Sequence, residues 1–226
     1  MTLAPDAVRT MFDRIAPVYD VMNRVMTGGL DLRWRRLAAE AVVGGGDHVL
    51  DAACGTGDLA LAALKAGAAR VTGLDFSDAM LERARRKTAG RPELEWVRGD
   101  LLALPFGAVT FDAATVGFGV RNVADLELAL RELRRVLRPS GRLAILEITQ
   151  PRGALAPFFG VWFDRIVPQL GKLLRAGGAY AYLPASVKRF PTAEELAGLM
   201  RTAGFANVRF RLLGGSIVAL HTGEAR

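Results

Sequence analysis

Apolar positions near the start of the chain recur at three- and four-residue steps. Val8, Met11, Phe12, Ile15, Tyr19 and Met22 form one stripe; Trp34, Leu37, Ala38, Ala41 and Val42 form a second. The spacing predicts two amphipathic helices, separated by "TGGLD" at 27–31 and closed by "VVGGGD" at 42–47. From there the pattern alternates. "HVLDAA", "RVTGLD", "LEWVRGD", "FDAATVGF" and "RLAILEI" read as short buried strands. Between them lie helical stretches, one after the first strand from Gly57, one capped by Ser77, and one after Asp125 with Leu126, Leu130, Leu133 and Leu137 on one face. "RPSG" at 138–141 is expected to stop that helix, because Pro139 and Gly141 do not continue it.

Strands that are apolar throughout and alternate with helices predict a parallel sheet covered on both faces. The segment from Ala154 to Ala181 reads as a helical insertion. Thr192 and Glu195 have capping-box spacing, and "NVRFRLL" and "SIVALHTG" joined by "GG" read as a closing hairpin. The expected fold is α/β, Rossmann-like: a seven-stranded, mostly parallel sheet with the last strand antiparallel. Within one domain over 1–226 we expect an N-terminal helical lid (1–44), a cofactor-binding core (45–150), a substrate-binding insertion (151–190) and a C-terminal helix with two strands (191–226).

A chain of 226 residues that is 51% apolar has length for a sizeable core. No run is long and apolar enough to span a bilayer, and "MTLAPDAVRT" lacks a signal-peptide core, so a cytoplasmic chain is expected. The single cysteine, Cys54, leaves no disulfide framework or multi-cysteine metal site. The net charge of +7 is spread along the sequence, which fits either a solvated surface or an anionic partner.

The chemistry concentrates in "LDAACGTGDLA", residues 50–60. Gly55 and Gly57 follow the first strand, and Asp75 ends the second, where a carboxylate can hold a ribose. Yet Asp51 and Asp58 flank the loop. A carboxylate about 5 Å from a phosphate costs about 3 kcal/mol at an effective dielectric near 20, so Asp51 makes a poor diphosphate cradle. S-adenosyl-L-methionine has no phosphate, and its sulfonium and ammonium favour carboxylates. Asp58 is equally explained as an acid in a helix's first turn. Asp100 and Leu101 follow the third strand, where an adenine amine and ring can be held. Phe76 and Met80 either flank that ring or belong to the core.

The chain resembles the quinone C-methyltransferases of the UbiE/MenG family nearly end to end. The likeness rests on "VRTMFDRIAPVYDVMN", "DAACGTGD", "FDAATVGFGVRNV", "RVLRPSGRLAILEIT", "YAYLPASVKRFP" and "GGSIVALHTG". By position, the resemblance implies cofactor contacts at Thr56, Asp75, Asp100, Leu101 and Gly117. Asp31 replaces a usual histidine and Ala185 a usual glutamate; Asp100-Leu101 stands where Asn-Ala is common. The implied reaction is S-adenosylmethionine-dependent C-methylation of demethylmenaquinol, or of a polyprenyl benzoquinol, without a metal.

For that chemistry Arg121 and Asn122 are expected at the quinol ring, Arg121 as the cation favouring the phenolate, with a pairing to Asp20 as its structural alternative. His221 is a candidate proton acceptor. Tyr19, Asn23, Phe118, Phe159 and Trp162 are expected to line the substrate cleft. The stretch Ala154–Leu174 reads as a tunnel for the isoprenoid tail, a membrane-interface segment on the inner face, or a buried helix. A homodimer is a further expectation; nucleic acid is not expected as a partner, because "GFGVRN" stands where amino-group enzymes of that kind carry a proline-rich motif. Methylation of nucleic acid or another small molecule remains the alternative, and a non-catalytic cofactor-binding scaffold a third reading.

Overall fold

The computed structural model describes residues 5–151, 169 and 184–226. Three helices come first: α1 (Pro5–Ile15), α2 (Tyr19–Thr27) and α3 (Leu30–Val42). The apolar stripe read as one helix is broken by a 3-10 turn at Ala16–Val18, where Pro17 withholds the N–H that a continuous helix needs. α3 begins at Leu30, two residues earlier than the sequence break implied, and so takes Asp31 into its first turn.

The core then alternates as β1 (His48–Ala52), α4 (Asp58–Lys65), β2 (Arg70–Asp75), α5 (Asp78–Lys87), β3 (Leu94–Arg98), β4 (Phe111–Gly117), α6 (Leu126–Val136) and β5 (Leu137–Ile148). A helical segment at 184–189 leads to α7 (Ala193–Thr202), β6 (Phe205–Leu213) and β7 (Val218–Ala225). The Ser77 cap and the Thr192–Glu195 box are as expected, and Asp125 adds a third cap. Ser77 accepts from Met80 N–H, Asp125 accepts from Leu128 N–H, and Thr192 with Glu195 forms a complete capping box. One boundary differs. "RPSG" ends α6 but does not leave the sheet: Leu137 already pairs with Phe111, and 138–141 bulges from β5 before pairing resumes at Ala113–Arg142.

The seven strands are ordered β3-β2-β1-β4-β5-β7-β6, parallel except for β7, which runs antiparallel to both neighbours. The fold is that of the class I methyltransferases, as expected. Strand alternation assigns each residue a face. Leu50, Ala52, Ala114 and Val116 pack under α6 and α7 with Leu130, Leu133, Leu196 and Met200. Val49, Ala113 and Val71 pack on the other face under α3 and α4 with Trp34, Ala38, Leu59 and Ala63. By the same alternation Asp51, Thr115 and Gly117 belong to the α3–α4 face. The N-terminal helices build a third cluster, Ile15, Ala16 and Met22 against Met80 and Val187.

The glycine loop is held from below by an aromatic ring. Trp96 pairs with Gly73 across β2 and β3, and its indole lies over both Gly73 and Gly57, the latter in left-handed conformation at the head of α4. The indole N–H donates to Thr88 Oγ1 at 3.2 Å. A Cβ at Gly73 would overlap the indole and stand 3.1 Å from Cys54 Sγ. Gly73→Ala is therefore expected to destabilise the fold by about 1–3 kcal/mol, and Gly73→Ala with Trp96→Leu to recover part of that loss. Urea denaturation measures both; a neutral single variant contradicts this packing.

Candidate active site

The carboxyl ends of β1, β2 and β4 converge at one edge, where open α/β sheets bind ligands. Two non-glycine residues there, Ala53 just beyond β1 and Phe118 just beyond β4, hold left-handed φ angles of 54° and 60°. Such backbone is costly and concentrates where function fixes the chain.

Asp75 is buried and joins two loops. Oδ2 accepts from Gly55 N–H at 2.8 Å, and Oδ1 accepts from Ser77 N–H at 2.9 Å. Burial pushes its carboxyl up to about 6, against the backbone donors that favour its charge. Asp51 is fully buried. Its Oδ1 accepts from Thr115 Oγ1 at 3.1 Å, and its Oδ2 has no partner. Burial pushes this carboxyl up to about 7. A half-satisfied buried carboxylate calls for a donor from outside the chain.

Two adjoining cavities open at this edge. One is lined by Asp75, Phe76, Asp100, Leu101 and Val8, and the other by Gly55, Tyr19, Gly117, Phe118 and Phe12. Asp75 and Phe76, with Ala53, Gly119 and Asn122, border both. In the first, Asp100 is exposed and turns one oxygen to Leu102 N–H at 2.9 Å. A third cavity, lined by Val120, Arg121, Ser186, Arg189 and Phe190, meets the other two at Asn122. The Asn122 side-chain carbonyl is buried and has no hydrogen-bond partner.

The N-terminal helices close on the loop through charge. Asp20 accepts from Thr56 Oγ1 at 2.5 Å and from Lys87 Nζ at 2.7 Å. Lys87 also donates to Asp58 at 2.6 Å, and Asp58 accepts from Arg24 at 2.6 Å; Arg24 continues to Asp31. Burial works to raise the Asp58 carboxyl, but the Arg24 and Lys87 contacts outweigh it and hold it below the usual range. On α1, Asp13 accepts from Ser77 Oγ at 2.6 Å.

Of the residues singled out in the sequence, Gly55, Asp75, Phe76, Asp100, Leu101, Gly117, Phe118, Tyr19 and Asn122 line the first two cavities. Thr56 and Gly57 lie in the loop itself, with the Thr56 hydroxyl taken by Asp20 and Lys87. Asn23 lines none of the three cavities. Phe159 and Trp162, with the rest of the expected tail tunnel, lie outside the described residues. Arg121 does not pair with Asp20. Its guanidinium donates to Glu147 Oε1 at 2.6 Å and to Phe118 O at 2.7 Å, with Glu147 almost fully buried. Its charge is thus answered within the fold. His221 is corrected as a proton acceptor for the cleft. It is buried in β7, hydrogen-bonded to Ala193 O of α7 at 2.8 Å and packed against Phe210, and burial pushes its pKa down. Only a position in the sheet, not its residue type, separates it from the site.

The sequence reading passed over Arg35. It is buried beside Asp31 on α3, in the same helical phase as Ala38 and Val42. A charged pair set at i and i+4 within an apolar stripe was the available signal.

The donor set fits a ligand that carries a ribose, an adenine and positive charge. Asp75 stands buried at the end of β2, the Asp100–Leu101 loop borders the first cavity, and Asp51, which lines none of the three cavities, keeps one oxygen without a donor.

The model of the ubiE/COQ5 methyltransferase family matches residues 1–225. The chain is 48% identical to a demethylmenaquinone methyltransferase of Thermus thermophilus, covering 95% of this chain and 99% of the relative. It is 44% identical to a ubiquinone/menaquinone biosynthesis C-methyltransferase of Syntrophotalea carbinolica, covering 95% and 92%. Among solved structures, the [4+2]-cyclase SpnF superposes with a TM-score of 0.71 at 20% identity, covering 96% of this chain and 95% of that one. A match along the whole length at this identity, on a sheet whose carboxyl edge carries the glycine loop and its acids, means that the chain belongs to the ubiE/COQ5 methyltransferase family.

Proposed function

We propose that this chain methylates the ring carbon of demethylmenaquinol with S-adenosylmethionine, giving menaquinol. The reading is supported by the named activity of its full-length relatives and, in the structure, by one observation above the rest. The unpartnered Asn122 carbonyl stands where the slot for a nucleoside meets two further cavities. A quinol hydroxyl donating to that oxygen is held beside the methyl-donor position.

S-adenosylmethionine supplies an electrophilic methyl group on a sulfonium when bound. The protein's part is to hold two partners in register, which contributes most of the rate where no metal or protein nucleophile takes part. Asp75 accepts from the ribose hydroxyls while keeping Gly55 and Ser77 in place. Asp51 faces the ammonium. Phe12, Tyr19, Phe76 and Phe118 wall the reaction centre and exclude water. Arg121, braced by Glu147 and Phe118 O, fixes the turn that carries Asn122, so it positions rather than contacts the ring. Its charge, already answered by Glu147, adds little field for a phenolate.

Substrate supply points to a lipid surface. Val21, Val25, Leu30 and Leu32 are large apolar side chains exposed at 58%, 50%, 43% and 49% on α2 and the start of α3. Arg33 and Arg36 are exposed on the same stretch. Together they suit shallow insertion with electrostatic attraction of about 1 kcal/mol per basic residue near an anionic leaflet. Among the described residues no helix is long and apolar enough to cross a membrane.

Product analysis with demethylmenaquinol and a demethylated benzoquinol tests the function. The expected product is menaquinol, and absence of methyl transfer to either quinol overturns the reading. Asn122→Ala is expected to lower kcat/KM for the quinol by about 10–100-fold through loss of one buried hydrogen bond, with S-adenosylhomocysteine affinity changed little. An unaltered kcat/KM rules out the Asn122 contact.

Asp51 is opposed by the Thr115 hydroxyl, the Arg35 charge and the Ala60 backbone, and reinforced by Asp75. Its folded pKa near 7, and that of Asp75 near 6, lie above the ordinary value. Stability from these two groups is therefore present below about pH 4 and lost as pH rises through the folded values. A cation arriving at Asp51 favours its ionised form. Binding of S-adenosylmethionine at pH 7 is thus expected to release about half a proton, the share of Asp51 still protonated there. Calorimetry in buffers of different ionisation enthalpy reads this directly; a buffer-independent enthalpy speaks against it. In vesicle co-sedimentation, Val25→Ser with Leu32→Ser is expected to weaken binding to anionic liposomes severalfold. Equal binding by the variant sinks the membrane assignment of this face.

A further inference from the structure

Arg35 is the least explained charge among the described residues. Its side chain is 6% exposed, on the face of α3 that packs against β4 and β5. A guanidinium has five N–H donors and is never neutral at ordinary pH. Buried ones are normally paired and fully hydrogen-bonded. Arg35 makes no hydrogen bond to any described residue, and its Nε is buried without a partner. Its one ion pair, to Asp31 Oδ2, is long at 3.8 Å, and that carboxylate is already engaged by Arg24 and Thr27. The guanidinium carbon instead lies 5.0 Å from the centre of the Phe118 ring.

The position of this unused cation is informative. Its terminal nitrogen is 3.0 Å from where a Cβ on Gly117 would stand. Gly117 and Phe118 both line the cavity that opens over Gly55. Asp51, on the same face of the sheet, feels the Arg35 charge and has its own open oxygen. A buried cation lacking an acceptor thus neighbours a buried anion lacking a donor. They do not satisfy each other: each keeps an open valence. That is the complement of a zwitterion, an ammonium and a carboxylate carried on one carbon.

We propose that Arg35 binds the α-carboxylate at the amino-acid end of the methyl donor, opposite the ammonium held by Asp51. The absence of a side chain at Gly117 leaves the guanidinium its approach to the cavity. The Phe118 ring packs against the guanidinium, whose planar fork can offer a carboxylate two parallel N–H donors. The assignment rests on the methyl-donor reading above and deepens it, because it makes the pocket select an α-amino acid and not merely an adenosine.

The test compares S-adenosylmethionine with its decarboxylated form, which keeps the adenosine, sulfonium and amine and lacks only the carboxylate. Affinities are measured by calorimetry for the unaltered chain, Arg35→Met and Arg35→Lys. The unaltered chain is expected to prefer S-adenosylmethionine by about 10–100-fold, the range of a charge-assisted hydrogen bond. Arg35→Met is expected to abolish that preference while binding the decarboxylated ligand as before, which also certifies its fold. Arg35→Lys keeps the charge without the fork and is expected to retain part of the preference. Should Arg35→Met not fold, Arg35→Gln carries the same comparison. Equal weakening of both ligands, or of neither, overturns the role of Arg35 alone. Failure of the unaltered chain to bind either ligand overturns the methyl-donor reading beneath it.

Discussion

The site depends on one carboxylate. Asp75 ends β2 and accepts from Gly55 in the loop after β1 and from Ser77 at the head of α5. Two loops separated by a strand, a helix and a turn are thereby fixed relative to one another by hydrogen bonds to a charged acceptor, each stronger than a neutral one. Ser77 passes the constraint on through its hydroxyl to Asp13 of α1. This one side chain therefore sets the glycine loop, holds Ser77 at the head of α5 and, through Ser77, docks the N-terminal segment. Removing it disturbs binding and architecture together, which is why its partners matter as much as its charge.

The N-terminal helices are attached mainly by a chain of alternating charges, Asp20, Lys87, Asp58, Arg24 and Asp31, laid over a small apolar cluster around Met22. Such half-buried pairs gain less than their geometry suggests, since each charge gives up water to make them. Their effect is directional: every anion in the chain meets a specific cation, so the helices seat in one register over the loop. Tyr19 and Phe12 arrive over Gly55 as a consequence. Asp58, at the first turn of α4, is used as the midpoint of this chain and not as a ligand group.

A sheet of this order supports many reactions, and the chemistry belongs to what stands at its carboxyl edge. Among the described residues five buried side-chain polar atoms lack a partner, on Asp51, Arg35, Asn122, Arg121 and His221, and all but the last stand near that edge. On Asp51, Arg35 and Asn122 the open atom borders or approaches the cavities, which leaves room for a ligand atom to complete the hydrogen-bond set. Arg121, by contrast, has a partner for its charge, and its contribution runs through the turn it braces.

The sequence determined the elements and their polarity. Periods of 3.6 and 2 marked the helices and strands, and local capping pairs such as Ser77–Met80 and Thr192–Glu195 fixed helix starts, because those interactions span only a few residues. It also placed Asp51, Gly55 and Asp75 together, since a loop between consecutive parallel strands must lie at the carboxyl edge. It could not reveal contacts between residues far apart in the chain. Arg121 found Glu147 rather than Asp20, and His221 went to Ala193, because strand order and register choose such partners. The open valence of Arg35 was equally hidden. Its place in the apolar stripe of α3 could signal burial, but only the tertiary structure decided that it would be buried with so little of its own to hold.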